Sequence, residues 1–177
     1  NYLLKTGRQF KLYFFHHGDE DDNHALAFTK QYAKENNLEV VTNQNVVYHG
    51  SSDEVMRNAR YEWLDNYKDI PVLTGHNLED IVSGYVMFWI KGQEKFIPVT
   101  RNHIVRPFLL TRKKDIIKYA QDNCLQWYES PGNSTMQYDR NKVNKIILPE
   151  INKINPGFDK KIKNLFLEKL RKEGYKV

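Results

Sequence analysis

The 177 residues, with a mass of 21.1 kDa, fit one domain with a small extension and exclude a large multidomain enzyme. Hydrophobic residues make up 40% and charged residues 28%, which is enough for a folded core and excludes a disordered chain. No apolar run approaches the ~20 residues of a membrane span, and Asn1 does not open a signal-peptide pattern. Because Cys124 is the one cysteine, no internal disulfide can form. We therefore expect a cytoplasmic protein that does not bind a membrane.

The net charge of +5 is unevenly distributed along the chain. Residues 141–177 hold ten Lys or Arg against four Asp or Glu, whereas residues 1–140 hold seventeen against eighteen. A neutral body with a basic C-terminal part predicts a polyanionic partner, and a solvated, lysine-rich helix face is the alternative.

In the first half of the chain, predicted strands alternate with predicted helices. Short apolar runs predict the strands, and helical spacing behind acidic or capping residues predicts the helices. In chain order these are a strand at 11–15, a helix at 21–36, a strand at 38–42 with a possible extension at 46–48, a helix from 52 to about 67, a strand at 71–74 and a helix at 77–91. The last helix is apolar almost all round, which is typical of burial on more than one side. Aromatic side chains in these helices, among them Tyr61, Trp63 and Trp89, are expected in the core rather than stacked on bases.

The second half is predicted to be mostly helical. It comprises a loop at 92–103, an extended segment at 104–110, a helix at 113–123, a turn at 129–133 and helices at 138–152 and 159–173. The whole pattern predicts an α/β fold in which helices flank a parallel sheet. We expect residues 1–125 to form this α/β domain and residues 126–177 a helical extension packed on it.

Two polar clusters follow predicted strands, where ligands bind in parallel sheets. The first runs from His16 to Asp22 and the second from Thr74 to Asp80. Both combine imidazole and carboxylate groups, which serve acid–base chemistry and divalent-ion binding. The alternative for both clusters is helix capping, by Asn77 or Thr74 in the second one.

The second cluster, Gly75-His76-Asn77-Leu78-Glu79-Asp80, resembles the Gly-His-His-x-Asp-Asp motif of the tRNA(Ile)-lysidine synthetases, which belong to the PP-loop superfamily of ATP pyrophosphatases. Further stretches resemble the family's other motifs in the same order, over roughly residues 3–160. These are Glu54 to Tyr61, Arg106 to Leu110, Glu129 to Asn133 (family Glu-Asp-x-x-Asn), Tyr138 to Asn141, Ile147 to Pro149 and Asn155-Pro156.

The resemblance implies an adenine nucleotide α-hydrolase-like fold, which is Rossmann-like. It also implies an ATP-dependent ligase, which adenylates C2 of an anticodon cytidine so that the amine of lysine then displaces AMP. ATP and Mg²⁺ are the implied cofactors, and lysine and tRNA the implied partners. The tRNA would be held weakly by the basic C-terminal part, with phosphates contacting Lys160, Lys161 and Lys163.

The resemblance also implies roles for individual residues. Asp80 is the candidate carboxylate for the lysine ammonium or for a metal ion, and Arg57 and Arg140 are candidates for phosphates. The implied residues of the substrate and nucleotide pocket are His76, Glu79, Arg60, Arg106, Asn133 and Asn141.

Structural alternatives exist for the arginines. Arg57 and Arg60 could pair with Asp53, Glu54 or Glu62 on one helix. Arg140 could pair with Asp139, and Arg106 could anchor an edge strand.

The chain also departs from the family pattern. The phosphate loop Ser-Gly-Gly-x-Asp-Ser and its strand do not occur in these residues, and a family acid is replaced by Ser83. One hypothesis is therefore a synthetase whose loop comes from a second polypeptide, with binding or self-association at the open sheet edge. The other is a catalytically inactive module that binds a protein or RNA. If the protein stays inactive with the loop supplied, Ser83→Glu is the rescue to try, because it returns an acid to this position.

Overall fold

The computed structural model describes residues 2–43, 52–134, 136 and 138–177, without the side chains of residues 2, 53, 133 and 134. The predicted extension at 46–48 lies outside the described residues. The chain divides into two compact units, Asn1–Tyr67 with Trp127–Ser134, and Lys68–Gln126 with Thr135–Val177. The division predicted at residue 125 stays a prediction.

The first unit contains a parallel pair of strands with helices beside it. Its elements are α1 (Tyr2–Lys5), β1 (Lys11–Phe14), α2 (Glu20–Glu35), β2 (Glu39–Thr42), α3 (Asp53–Asp65) and a 3₁₀ turn (Pro131–Ser134). β1 and β2 pair from Lys11 opposite Glu39 to Phe14 opposite Thr42. Parallel pairing needs a crossover connection, and α2 provides it. The predicted strand–helix–strand alternation is therefore confirmed in this unit.

Local capping explains where the helices of the first unit begin. The Asp19 carboxylate accepts a hydrogen bond from Asp22 N (2.9 Å), and the acidic first turn of α2 favours the helix dipole. Ser52 caps α3 in the same way, through Val55 N. Tyr61 is buried, and the Trp63 ring packs within 6.1 Å of Tyr13. Tyr61 therefore belongs to the core, as predicted, whereas Trp63 is half-buried beside Tyr13.

The second unit has a small mixed sheet. It consists of β3 (Val72–Leu73), β4 (Thr100–Arg101) and β5 (Ile104–Val105), in the order β3-β5-β4. β3 and β5 are parallel, whereas β4 and β5 form an antiparallel hairpin. The prediction of a loop over 92–103 is therefore wrong for Thr100–Arg101, which form strand β4. Asn102 lies in the hairpin turn with a φ of 54°, a left-handed conformation that asparagine tolerates better than most residues do.

Helices make up most of the second unit. They are α4 (Leu78–Ile90), α5 (Lys113–Asp122), α6 (Asp139–Lys142), a π-helix (Val143–Ile147), α7 (Leu148–Ile154) and α8 (Phe158–Lys172). The helix predicted over 138–152 thus contains a π-helical turn. Pro149 follows this turn and has no N–H with which to continue the i→i−4 ladder.

The core of the second unit lies between α4 and α8. Leu78, Ile81 and Val82 of α4 are buried in one cluster with Ile162 and Phe166 of α8. This cluster fixes α4, whose N-terminus carries the candidate site. Each such side chain contributes about 1.5–3 kcal/mol when fully buried.

Burial along α4 ends before its last turn. Trp89 and Ile90 are 67% and 58% exposed, so the expectation that Trp89 lies in the core is wrong. Apolar composition predicts that a helix is buried, but the packing partner decides which of its turns are covered. Within the described residues, every helix is too short or too polar to serve as a bilayer span.

Candidate functional site

The N-terminus of α4 is shaped by a reciprocal cap. Asn77 Oδ1 accepts hydrogen bonds from Glu79 N (3.0 Å) and Asp80 N (3.4 Å), and Asn77 N donates to Asp80 Oδ2 (2.8 Å). This capping box is a local device that satisfies N–H groups at the start of the helix. The capping alternative therefore holds for Asn77, and the same cap fixes the Asp80 carboxylate in place.

Asp80 also forms an ion pair with Arg140. Arg140 Nη2 donates to Asp80 Oδ1 across 60 residues of sequence. The side chains are 20% and 44% exposed, so the Arg140 guanidinium stays accessible to a ligand. The alternative partner Asp139 instead accepts from Lys142 Nζ (3.1 Å). Two residues that were predicted to be catalytic thus lie in direct contact.

His76 and Glu79 lie on either side of this cap. His76 Nδ1 is 3.0 Å from Thr74 Oγ1, which holds the ring close to the end of β3. Glu79 Oε2 accepts from Lys113 N (2.8 Å) and so caps α5, where the N-cap residue Arg112 supplies no side-chain hydrogen bond. Glu79 therefore has a structural contact beside its predicted binding role.

Arg106 and Asn141 occupy different environments in the same unit. Arg106 is 2% exposed, directly follows β5, and donates through Nη1 to the Pro98 carbonyl (3.0 Å). This contact matches the anchoring alternative. Asn141 is half-buried in α6, next to Arg140. Its backbone N donates to the Tyr138 carbonyl (3.0 Å).

Ser83 is buried on α4 with 2% exposure. A glutamate at this position would bring an unpaired carboxylate into the core, which costs several kcal/mol. The expectation that Ser83→Glu restores a site acid is therefore replaced by an expected loss of stability.

Arg57 and Arg60 lie on α3, in the first unit. The Arg57 guanidinium stands 5.2 Å from the centre of the Tyr61 ring, a cation–π contact. Arg57 is exposed and Arg60 half-buried. The Asn133 side chain lies outside the described residues, although its backbone belongs to the 3₁₀ turn.

The first polar cluster forms a hydrogen-bonded loop after β1. Gly18 N donates to His16 Nδ1 (3.0 Å), so a neutral His16 ring carries its proton on Nε2, which faces Asn23 Oδ1 at 3.0 Å. His17 N donates to the Asp22 carboxylate (2.5 Å). Together with the Asp19 cap, these bonds match the loop-and-capping alternative.

Sequence reasoning missed Asn43, which follows β2. Asn43 Oδ1 accepts from His16 N (2.6 Å) and its Nδ2 donates to the His16 carbonyl (2.8 Å). A polar residue directly after a strand was the available signal, because the carboxyl ends of parallel strands meet at one edge.

The sequence placed Asp21 in the first polar cluster but did not predict its hydrogen-bond partners. Its carboxylate accepts hydrogen bonds from Tyr128 and Ser130, far along the chain. The hydrogen bond to Asp21, followed by desolvation, raises the pKa of Tyr128 to about 12.

Among the described residues, no three His, Cys, Asp or Glu side chains cluster to hold a metal ion. Both oxygens of Asp80 already accept hydrogen bonds. Mg²⁺ is commonly held by one or two carboxylates together with substrate phosphates. Asp80 therefore fits Mg²⁺ only as a single ligand beside a bound nucleotide.

These features describe helices beside short, mostly parallel strands, with an acid–arginine pair at the start of α4. Comparison with known proteins identifies the family. The model of the PP-loop domain family matches residues 4–151. The chain belongs to this family, and the predicted resemblance and fold class are confirmed. Family membership implies the use of ATP.

Relatives with curated names are tRNA(Ile)-lysidine synthases. The one from Persephonella marina is 28% identical over 155 residues, which cover 80% of this chain and 33% of that protein. The one from Buchnera aphidicola subsp. Schizaphis graminum is 31% identical over 141 residues, covering 66% and 31%. A Vibrio vulnificus synthase is 30% identical over 118 residues, covering 61% and 27%. The chain spans about a third or less of the length of these relatives.

A solved structure has a similar fold. It is the U34-tRNA thiolase NcsA from Methanococcus maripaludis with its [4Fe-4S] cluster, at a TM-score of 0.69 and 15% identity, covering 92% of this chain and 62% of that one. At this identity the likeness shows the fold alone. The one cysteine of these 177 residues cannot supply the several thiolates of such a cluster.

Proposed function

We propose that this chain forms the larger part of the catalytic domain of a tRNA(Ile)-lysidine synthetase. The reaction attaches lysine to C2 of a cytidine in the tRNA anticodon at the expense of ATP. The observation that carries the proposal is the contact between Asp80 and Arg140, which joins two family-like motifs 60 residues apart. The names of the relatives support the same activity.

The pair suits a reaction with one cationic and one anionic substrate. In the first step, the C2 oxygen of cytidine attacks the α-phosphate and pyrophosphate leaves. In the second step, the lysine amine attacks C2, AMP leaves and the amine loses a proton. Arg140 would bind phosphate oxygens and Asp80 would bind the lysine ammonium. The two side chains would therefore separate, and each would contact a substrate group in place of the other side chain. The ion pair keeps both charges compensated until then.

The remaining predicted residues keep their proposed roles. Arg57 and Arg60 would contact phosphates or tRNA, and Mg²⁺ would bind through Asp80 and the nucleotide. In the second unit, His76, Glu79, Arg106 and Asn141 are the proposed pocket residues beside the pair. Asn133 of the first unit keeps its proposed role in binding substrate or nucleotide. Binding of the tRNA backbone is assigned to the lysines of α8, and the cytoplasm is the proposed location.

The phosphate loop is proposed to come from a segment outside these 177 residues. Such a loop supplies the backbone N–H groups that surround ATP phosphates, and the motif Ser-Gly-Gly-x-Asp-Ser does not occur in this sequence. We propose that this segment belongs to a second polypeptide that binds at the open sheet edge. The alternative is that the chain self-associates at this edge. The alternative of an inactive binding module is not favoured, because the named relatives are synthases.

A ligation assay tests the proposal. The chain is mixed with a polypeptide that carries the loop, tRNA(Ile), ATP, Mg²⁺ and radiolabelled lysine. We expect lysine-dependent release of AMP and pyrophosphate, with label in the tRNA. A matched loop polypeptide with alanine in place of both glycines should give no label. If the complete mixture incorporates no lysine while the loop polypeptide is bound, the synthetase proposal fails.

A further inference from the structure

A single carboxylate holds a distant segment of the chain to α2. Tyr128 Oη donates to Asp21 Oδ1 (2.5 Å), and Ser130 Oγ donates to Asp21 Oδ2. These contacts span 107 and 109 residues of sequence. Both oxygens of Asp21 are therefore engaged by one short segment, Trp127–Ser134, which belongs to the same compact unit as α2.

The contact continues into the 3₁₀ turn. Ser130 Oγ, which donates to Asp21, also accepts from Gly132 N (3.2 Å) at the start of that turn. The Phe28 ring of α2 lies 6.3 Å from the Tyr128 ring and adds an apolar contact. A chain of hydrogen bonds thus runs from the first turn of α2 into the turn whose backbone includes Asn133.

We propose that Asp21 is a positioning residue that fixes segment 127–134 to α2 and so places the turn of Asn133. Its use in lysidine formation rests on the proposed function, whereas the attachment itself does not. Asp21 suits the task because a carboxylate is also favoured in the first turn of a helix. Hydrogen bonds to an ionised group are stronger than neutral ones.

The neutral hydroxyl of Ser130 suits a position beside the Asp21 carboxylate. It stands where the family motif Glu-Asp-x-x-Asn has an acid, and a second carboxylate beside Asp21 would repel it. A hydroxyl can donate to Asp21, which an ionised carboxylate cannot do. Ser130→Asp is therefore expected to release the segment.

Titration of Tyr128 reports the attachment directly. Its pKa of about 12 stems first from the hydrogen bond to Asp21 and then from desolvation, with Asp21 and Asp19 adding negative charge nearby. A folded pKa above the ordinary value near 10 means that the unfolded chain loses this proton first. Folding stability from this group is present below about pH 10 and is lost as the pH rises towards 12.

The first experiment is an ultraviolet titration of tyrosinate in the 177-residue chain. The Tyr128 transition is assigned from the difference between the parent chain and Tyr128→Phe. In Asp21→Asn we expect this transition to move from about pH 12 towards pH 10. Glu20→Gln removes an adjacent charge from the same helix turn and should leave the transition in place. An unchanged transition in Asp21→Asn would overturn the proposal.

Hydrogen exchange separates local release from general unfolding. In Asp21→Asn, Ser130→Ala and Ser130→Asp, amides of residues 127–134 should exchange about tenfold faster or more. Amides in the last two turns of α2 should keep their rates. The Ser130 variants keep Asp21 intact and thus serve if Asp21→Asn folds poorly. Equal acceleration in both regions would contradict a local positioning role.

The ligation assay then distinguishes the two proposals. If Asp21→Asn releases the segment and lowers turnover while Glu20→Gln does not, the segment takes part in the reaction. If the segment is released and turnover is unchanged, the attachment stands but its use in catalysis is refuted. A parent chain without any turnover refutes the proposed function, and the titration still decides the attachment.

Discussion

At the scale of single residues, Asp80 combines two tasks. It completes the cap of α4 through Asn77 N and pairs with Arg140 through its other oxygen. The cap is a matter of helix stability, whereas the pair presents charge to a ligand. Variants can separate these tasks, because asparagine can still accept the hydrogen bond from Asn77 N but carries no charge.

We predict that the pair matters far more for activity than for folding. Arg140→Ala should lower the rate of ligation on the order of a hundredfold if the guanidinium meets charge that develops in the transition state. The free energy of unfolding should change by no more than about 1 kcal/mol, as for other partly exposed pairs. Asp80→Asn should lower the rate by a similar factor or more with the helix cap retained.

Kinetic measurements and thermal melts of the same samples check this prediction. Glu150→Ala is the matched control, since Glu150 forms an exposed pair with Lys153 (2.7 Å) on α7. A loss of activity in Arg140→Ala that merely parallels a loss of folded protein would contradict the assigned role.

A second prediction at this scale concerns Ser83. Because its side chain is buried on α4, Ser83→Glu should destabilise the fold by several kcal/mol and restore no activity. Ser83→Ala, which introduces no charge, should cost far less. Chemical denaturation of both variants decides the point, and a Ser83→Glu protein of unchanged stability would show that the position opens towards solvent or a ligand.

At the scale of elements, α8 has one face in the core and another that carries lysines. Ile162, Phe166 and Leu170 are buried, whereas Lys160 and Lys161 are exposed. Lys163 is half-buried, and its Nζ lies 3.4 Å from the Leu110 carbonyl. Lys160 and Lys161 are therefore better placed than Lys163 to contact RNA phosphates, because their side chains are exposed.

We predict that Lys160→Glu with Lys161→Glu weakens tRNA binding and lessens its salt dependence. Each lost phosphate contact should reduce the slope of log K against log salt by about 0.7–0.9. Lys163→Glu should add little to this effect. Filter binding across a salt series measures it, and Lys30→Glu with Lys34→Glu on α2 provides the same charge change elsewhere. If both double variants weaken tRNA binding equally, the loss is explained by net charge alone, and the specific role of Lys160 and Lys161 is contradicted.

At the scale of the whole molecule, the described strands leave edges and apolar side chains exposed. β3 lies at the edge of the three-stranded sheet, and Leu73 is 52% exposed. The last turn of α4 adds Trp89 and Ile90. Open strand edges and exposed apolar side chains each favour association with another chain.

We therefore predict that this chain binds a second polypeptide or self-associates through the β3 edge. Leu73→Lys should weaken the association, since a lysine on an edge strand opposes strand addition. Val55→Lys, at an equally exposed position on α3, should not. Sedimentation velocity, with and without the loop polypeptide, gives the answer. A monodisperse monomer with no bound chain would contradict the prediction.

Short-range order was largely predictable from the sequence. The starts of α2 and α4 follow from Asp19 and Asn77, whose side chains bond to N–H groups two or three residues away. The hairpin at Thr100–Val105 was not predictable from its polar, two-residue strand β4. Such a strand carries too few residues for a periodic pattern, so pairing with β5 decides it.

The sequence by itself determined the alternation of strands and helices, the caps and the family motifs, because these depend on neighbours within about one helical turn. Only the tertiary structure decided which partners the charged groups take. Asp80 pairs with Arg140, 60 residues away in sequence, and Asp21 accepts a hydrogen bond from Tyr128, 107 residues away. Glu79 accepts a hydrogen bond from Lys113 N and so caps α5. A carboxylate bonds to whichever donor the fold brings within about 3 Å, and sequence separation sets no limit on that distance.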